Sequence, residues 1–331
     1  MTIPLPPARG PVSELVLGLL RGECPALTPL PATSGVDVLT DGDTQLALWL
    51  LLELQHRGLQ GVDDDLERDP QVVAVLRTLE DAHVAALREL THDRLALVDT
   101  GDDLAAQIAE LLAGDDGPSL AEFLRRRADV GQFHEFLRQR SIYHLVESDP
   151  HAFVVPRIDG RAKVALAELQ YDEMGAGRPE ALHSRLFAQA LQACGIDASL
   201  GAHLDEARGT TLAVNTTMLV FGLRRRWRGA AMGHLAAFES TSSLPCRRIA
   251  AGARRLGLPE AVAAYYDEHV EADAVHEQLA VRDICVPLVD DEPHLRGDVL
   301  LGVAACLELD ALAAGEQLAL WSSQVPQEVP A

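Results

Sequence analysis

The chain has 331 residues, of which 48% are apolar and only 4% aromatic, so it is long enough to bury a full core. Its formal net charge of −22 argues against nucleic-acid phosphates and anionic membrane surfaces as partners. Five widely spaced cysteines without a Cys-x-x-Cys pair, and the lack of an evident signal peptide or membrane span, predict a soluble cytoplasmic protein.

The N-terminal third is predicted to contain an arm followed by helices. Seven prolines between Pro4 and Pro31 predict an extended N-terminal arm over residues 1–40. Residues 41–128 are predicted to form an N-terminal helical region packed on the core. Capping residues and helical spacing place its helices at 45–56, from Pro70, at 104–112 and from Ser119.

Two Glu-x-x-His pairs occur in this region, Glu53 with His56 and Glu80 with His83. This spacing is the one that ferritin-like di-iron bundles use for metal ligands. Either pair could bind metal, but each helix is explained equally well by packing with a polar flank.

The remaining chain, residues 129–325, is predicted to form an all-α core. Ala and Leu dominate and few segments alternate with period two, which is typical of packed helices. The basic run from Arg224 to Arg228 is predicted to be a solvated helix end. The predicted helices cover residues 130–147, 163–174, 180–193, 211–223, 230–240, 245–256, 259–280 and about 298–321.

The helix predicted at 259–280 contains a possible ligand triplet. His269, Asp273 and His276 are spaced i, i+4 and i+7, so a helix presents all three side chains on one face. Such a triplet can bind zinc or another metal, form a buried polar network, or occur by chance on a solvated acidic helix. Whether the triplet binds a metal depends on whether other segments supply further ligands.

Four more donors lie in suitable surroundings. Glu147 and Glu239 stand among apolar residues, where an unpaired carboxylate is costly unless it binds a cation. Glu173 and His183 flank the break Gly175-Ala176-Gly177-Arg178-Pro179. Taken singly, each is explained as an ordinary surface or capping residue, but their joint occurrence favours a dispersed metal site.

The order and separation of these residues resemble a known family. Glu147, the phrase Tyr171-Asp172-Glu173-Met174-Gly175-Ala176-Gly177, the phrase His183-Ser184-Arg185-Leu186-Phe187, Glu239 and the triplet are similar to the iron-containing redox enzymes of the haem-oxygenase-like di-iron superfamily. These motifs cover roughly residues 130–285, and residues 45–70 also resemble N-terminal parts of some members. The resemblance implies a haem-oxygenase-like helical bundle that holds two irons and no haem.

The resemblance also implies a ligand set, with Glu239 as an additional seventh member typical of the branch that oxidises nitrogen. Three imidazoles and four carboxylates without a thiolate suit iron or manganese better than structural zinc. Four carboxylate charges also balance two divalent ions. The implied ligands are Glu147, Glu173, His183, Glu239, His269, Asp273 and His276.

The expected function is that of a non-haem di-iron monooxygenase or oxidase of natural-product biosynthesis, with dioxygen as co-substrate. We expect N-oxygenation of an amino acid or small amine, with an external electron donor and a homodimer as possible partners. The alternatives are C–H or C–C oxidation of an amino or fatty acid, and a non-catalytic metal-binding protein. Arg185, His234 and Arg282 are candidates for orienting a substrate carboxylate or a proton, although salt bridges or caps explain them equally well.

Overall fold

The computed structural model describes residues 3–23, 29–31, 35–98 and 101–323, except for the side chains of residues 271–275. Within these ranges every element longer than an isolated bridge is helical, so the prediction of an all-α fold is confirmed. None of the helices described is both long and apolar enough to cross a membrane.

The helices fall into an N-terminal group and a larger group that follows it. The N-terminal group comprises α1 (Pro11–Leu20), α2 (Gly42–His56), α3 (Pro70–Leu90), α4 (His92–Ala96), α5 (Leu104–Ala113) and α6 (Leu120–Arg126). The second group comprises α7 (Val130–His144), α8 (Asp149–Ala152), α9 (Gly160–Glu173), α10 (His183–Ala193), α11 (Gly209–Leu223), α12 (Arg228–Arg255), α13 (Glu260–Gln278), α14 (Val286–Asp291) and α15 (Arg296–Ser323). A π-helix, Leu279–Cys285, joins α13 to α14.

The extended arm predicted for residues 1–40 is wrong for residues 11–20, which form α1. The proline at the first turn of α1 is compatible with a helix, because that position needs no N–H donor. Asp43 accepts hydrogen bonds from the backbone N–H groups of Val12 and Ser13, at 2.9 and 2.8 Å. The cap therefore comes from the start of α2, about thirty residues away, where local sequence patterns give no signal.

Several helix boundaries differ from the predicted ones. The helix predicted to reach residue 147 ends at His144, and the helix predicted from residue 180 begins at His183. The segments predicted at 230–240 and 245–256 form one helix, α12, which continues through Pro245. Proline removes one backbone hydrogen bond, but α12 buries residues on both sides of it, and this tertiary packing outweighs the local loss.

One hydrophobic core joins the N-terminal group to the second group. Trp49 of α2 donates a hydrogen bond from Nε1 to Asn215 of α11, at 2.6 Å. A buried polar chain runs beside it, in which Gln45 donates to Nδ1 of His83 and Nε2 of His83 donates to Thr217. The predicted boundaries at residues 40 and 128 stay predictions, because the core is continuous across them.

Helix α12 lies at the centre of the second group and contacts α15 through glycines. Gly233 faces the backbone of Val299, and Gly302 faces the backbone of Ala230. The lack of side chains at these glycines lets the two helices approach closely. This approach fixes the position of α12, which carries Glu239.

Candidate metal centre

Six of the seven predicted ligands have described side chains, and the structure brings all six together in the interior of the second group. The side chain of the seventh, Asp273, lies outside the described residues. Each of the six is buried, with at most 7% of its surface exposed. These six residues are Glu147, Glu173, His183, Glu239, His269 and His276.

The first cluster consists of Glu147, His183 and His269, whose donor atoms all lie within 4.8 Å of one another. Glu147 follows the end of α7, His183 is the first residue of α10, and His269 belongs to α13. Oε1 of Glu147 is 3.4 Å from Nε2 of His269. The first cluster therefore offers one carboxylate and two imidazoles.

The second cluster consists of Glu173, Glu239 and His276, and it meets the same distance limit. Glu173 is the last residue of α9, Glu239 lies in α12, and His276 lies about two turns after His269 in α13. Nδ1 of His276 is 3.3 Å from Oε2 of Glu239 and 3.5 Å from Oε1 of Glu173. The second cluster therefore offers two carboxylates and one imidazole.

Glu173 connects the two clusters. Its Oε1 faces His276 of the second cluster at 3.5 Å, and its Oε2 lies 3.1 Å from Nδ1 of His183 in the first cluster. The two oxygens of one carboxylate thus point toward two separate groups of donors. This is the arrangement that a carboxylate needs to bind two cations at once.

The arrangement of the donor atoms suits metal binding better than hydrogen bonding among the donors themselves. The buried atoms Nδ1 of His183, Nε2 of His269 and Nδ1 of His276 make no hydrogen bond of proper geometry among the described residues. Buried polar atoms normally have partners, so three such nitrogens facing carboxylates call for an explanation. Nitrogen and oxygen donors without thiolates suit iron or manganese, which explains both the orphaned atoms and the shared carboxylate.

The electrostatics of the first cluster are those of a cation-binding site. Burial alone would lower the pKa of His269, but Glu147 and Glu173 raise it to about 10. Burial alone would raise the pKa of Glu147, but His269 and His144 hold it well below its usual range. The carboxylates therefore attract positive charge, which a proton supplies when no metal ion does.

The second cluster behaves in the same way. Burial disfavours the charged form of His276, yet the carboxylates of Glu239 and Glu173, and then Asp172, raise its pKa to about 9. A metal ion must displace such a proton from the imidazole before it can bind.

Three residues that the sequence analysis missed hold the donors in place. Tyr265 donates a hydrogen bond from its hydroxyl to Oε2 of Glu147, at 2.8 Å, and it also contacts His144. Nδ1 of His144 lies 3.1 Å from Oε1 of Glu147. Ser148, in a left-handed backbone conformation (φ 66°), donates to Oε2 of Glu173 at 3.2 Å.

Helical spacing contained a signal for two of these residues. His144 precedes Glu147 by three positions, and Tyr265 precedes His269 by four, so both lie near a ligand on the same side of the chain. The carbonyl of Tyr265 also accepts a hydrogen bond from Nδ1 of His269 at 2.8 Å. Nε2 is therefore the ring nitrogen of His269 that can bind a metal ion. Such outer partners commonly orient metal-binding histidines.

The two Glu-x-x-His pairs of the N-terminal group lie outside both clusters. Glu80 forms a two-pronged ion pair with Arg224, at 2.6 and 2.9 Å. Glu53 pairs with His56 within the same helix, at 3.2 Å. Packing and ion pairing thus explain these residues, as the alternative interpretation had it.

Two other expectations need correction. The basic run at 224–228 is a solvated helix end only in part: Arg225 and Arg226 are exposed, but Arg224 is paired with Glu80, and Arg228, only 4% exposed, is paired with Glu292. His234 is buried, and burial lowers its pKa to about 3, so it cannot act as a cation for a substrate carboxylate near neutral pH.

A cleft of about 230 Å³ reaches this centre from the surface. His183 of the first cluster and His276 of the second both line it. The segment between Glu173 and His183 forms one side of the cleft. A small molecule in the cleft would therefore contact residues of both clusters.

An all-α bundle with buried clusters of carboxylates and imidazoles defines a helical metalloprotein. Residues 134–311, more than half of the chain, match the family described as iron-containing redox enzyme, so the chain belongs to this family. The match places it in the haem-oxygenase-like superfamily and makes it an iron-dependent oxidoreductase by family. No curated protein matches the chain.

Proposed function

We propose that the protein is a non-haem di-iron enzyme that uses dioxygen to oxidise a small amine or amino acid, with N-oxygenation as its reaction. The observation that carries the proposal is the position of Glu173, whose two oxygens face two different donor clusters. A single metal ion would leave protons as the source of positive charge for the buried donors of the other cluster. Glu173 would be able to hold an ion together with each cluster, which would give both clusters a cation.

The ligand roles follow from the two clusters. Glu147, His183 and His269 would hold one ion, and Glu239 with His276 would hold the other. The predicted seventh ligand, Asp273, stays a proposal from the sequence. Iron bound at such a site supplies the electrons and the Lewis acidity that dioxygen needs for reaction with an organic substrate.

The protein's own residues keep the site dry and rigid. The described donors are almost fully buried, and the cleft is lined by His183 and His276 of the two clusters. Tyr265 holds its proton at Oη and donates it in a hydrogen bond to Glu147, and burial together with the charge of Glu147 raises the pKa of Tyr265 well above its ordinary value. Tyr265 is thus a fixed donor that orients Glu147 rather than a source of protons at neutral pH.

Glu239 supports nitrogen oxidation over C–H or C–C chemistry. The additional carboxylate is typical of the nitrogen-oxidising branch of the resembling family, and here it lies 3.3 Å from Nδ1 of His276. The side chain is 5% exposed and belongs to the second cluster. A detached Glu239 would instead favour C–H or C–C oxidation of an amino or fatty acid.

The test is anaerobic loading with ferrous iron, followed by iron counting, oxygen electrode measurements and mass spectrometry of candidate amines and amino acids. We expect two irons per chain and oxygen uptake that depends on an amine and yields a product heavier by oxygen. The variant Glu239→Gln should lose this activity, whereas Glu168→Gln, an exposed position on α9, should retain it. Iron binding without oxygen uptake for any amine or acid would contradict the proposal and favour a non-catalytic metal-binding protein.

A further inference from the structure

The segment between Glu173 and His183 is fixed in a single unusual shape. Gly175, Ala176 and Gly177 have φ values of 82°, 52° and 78°, and an alanine in this left-handed region is strained. The hydroxyl of Tyr171 donates a hydrogen bond to the carbonyl of Ala176, at 2.9 Å. The strain is thus maintained by a specific contact.

Gly175 shows how tightly the segment is packed. A Cβ atom at this position would lie 2.5 Å from the carbonyl oxygen of Arg178 and 2.7 Å from the backbone nitrogen of Leu182. The chain therefore folds back on itself here, and only glycine fits. The consequence is that the backbone of Arg178 has a defined place beside the cleft.

Arg178 is the arginine among the residues that line the cleft, and the other basic side chains there, His183 and His276, belong to the two metal-binding clusters. The side chain of Arg178 forms no ion pair with any residue that the structure describes, although many arginines elsewhere in this acidic protein are paired. On the acidic side, Asp172 and Glu268 also line the cleft. Oδ2 of Asp172 lies 3.5 Å from Nε2 of His276, so these charges lie close to the metal-binding donors.

This charge distribution matches a zwitterion. A guanidinium binds a carboxylate through two parallel charge-assisted hydrogen bonds, and carboxylates bind an ammonium group. The volume of about 230 Å³ is below the range of clefts for drug-sized ligands, so the ligand must be small.

We propose that Arg178 binds the carboxylate of a small amino-acid substrate in this cleft, while Asp172 and Glu268 bind its ammonium group. The proposal rests on the proposed function, because it places the substrate over the residues that would hold iron. It narrows the substrate class from small amines and amino acids to free amino acids. Arg178 is thereby a specificity-determining residue rather than a metal ligand.

Ligand-observed NMR under anaerobic conditions tests the proposal, with and without ferrous iron. The probes are the twenty standard L-amino acids, each compared with its own carboxamide, which lacks the carboxylate. At least one amino acid should bind, and its carboxamide should bind about 10- to 100-fold more weakly, as expected for loss of a charge-assisted pair. The variant Arg178→Gln should bind both compounds equally weakly, and Arg178→Lys should recover part of the difference.

Arg185→Gln is the matched control, because Arg185 is an exposed arginine of the neighbouring helix α10 that does not line the cleft. It should bind the amino acid like the unmodified protein. Equal binding of amino acid and carboxamide, binding of no amino acid, or an Arg178→Gln variant that binds normally would overturn the proposal.

Iron content separates this proposal from the proposed function. Arg178→Gln should hold as much iron as the unmodified protein, since Arg178 belongs to neither cluster. If amino acids bind through Arg178 but two irons do not load, the proposed function fails and the carboxylate site stands. If two irons load and oxygen is consumed equally well in the unmodified protein and in Arg178→Gln, the proposed carboxylate site is wrong while the proposed function stands.

Discussion

The close contact between α12 and α15 predicts a large effect from one added methyl group. Gly233 of α12 faces Val299 of α15, and a Cβ atom at Gly233 would lie 2.7 Å from the carbonyl carbon of Val299 and closer still to its oxygen. Ordinary contact begins near 3.4 Å. In Gly233→Ala the helices must therefore separate by roughly 1 Å, because a close-packed interior has no room to absorb the methyl group.

The expected cost is about 3 kcal/mol, at the upper end of the range for overpacking, because the obstacle is backbone rather than a flexible side chain. In a chain of this size that cost lowers the melting temperature by roughly 4 °C. The matched control is Gly315→Ala in α15, where the nearest atom to the new Cβ would be Cγ of Pro118 at 3.8 Å. The free energy of unfolding of the control should be unchanged or higher by up to about 1 kcal/mol, because alanine has a higher helix propensity than glycine.

Calorimetric or circular-dichroism melting measures both variants in parallel. Because α12 carries Glu239, we also expect Gly233→Ala to bind iron more weakly than the control. A Gly233→Ala variant that melts and binds iron like the unmodified protein would refute the account of how α12 is positioned.

Three further predictions concern the shared carboxylate of Glu173, the hydrogen-bond partner of Glu147 and a remote buried histidine. Glu173→Gln should hold at most one iron per chain after desalting, because both clusters share Glu173, and a retained pair contradicts this. Tyr265→Phe removes the hydroxyl that orients Glu147 and should weaken iron binding about 10- to 100-fold in a chelator competition, whereas unchanged affinity argues against that role. Burial lowers the pKa of His83 from 6.5 to about 3, so the unfolded chain takes up a proton between these values that the folded chain does not, and stability falls as the pH falls. In urea titrations between pH 7 and pH 5 the unmodified protein should lose about 2 kcal/mol more than His83→Gln, and equal losses contradict this.

The hydrogen bonds of His83 explain why its neutral form is favoured. Nδ1 accepts from Gln45 and Nε2 donates to Thr217, whose hydroxyl donates in turn to the carbonyl of Ala213. A second proton on the ring would place two N–H donors against each other at Gln45. A Glu-x-x-His spacing at Glu80 and His83 therefore serves packing between helix groups, which spacing alone could not distinguish from metal binding.

The sequence singles out residues that the structure brings together in the candidate centre, partly by local chemistry and partly by the family resemblance, while their role as ligands stays a prediction. His269 and His276 share a helical face by spacing alone, and Glu147 and Glu239 stand out as carboxylates among apolar residues. How the donors divide into two clusters could not be predicted. That division depends on how α9, α10, α12 and α13 pack, which is set by contacts between residues far apart in the chain.

The errors have the same origin. The cap of α1 comes from Asp43 in the next helix, and the burial of α12 on both sides of Pro245 outweighs the local tendency of proline to end a helix. The sequence did not indicate a binding role for Arg178. A lone arginine in a glycine-rich segment suggests such a role only when the structure shows that it lies beside a cleft. Local patterns thus predicted the element types, while tertiary contacts decided boundaries, caps and the cleft.

The central claim is that two irons share the carboxylate of Glu173, and electron paramagnetic resonance of the oxidised, iron-loaded protein tests it most directly. Two ferric ions joined by a bridge couple magnetically, so we predict two irons per chain and almost no signal from isolated high-spin ferric iron. A full ferric signal that accounts for all the bound iron, or a single iron per chain, would contradict the account.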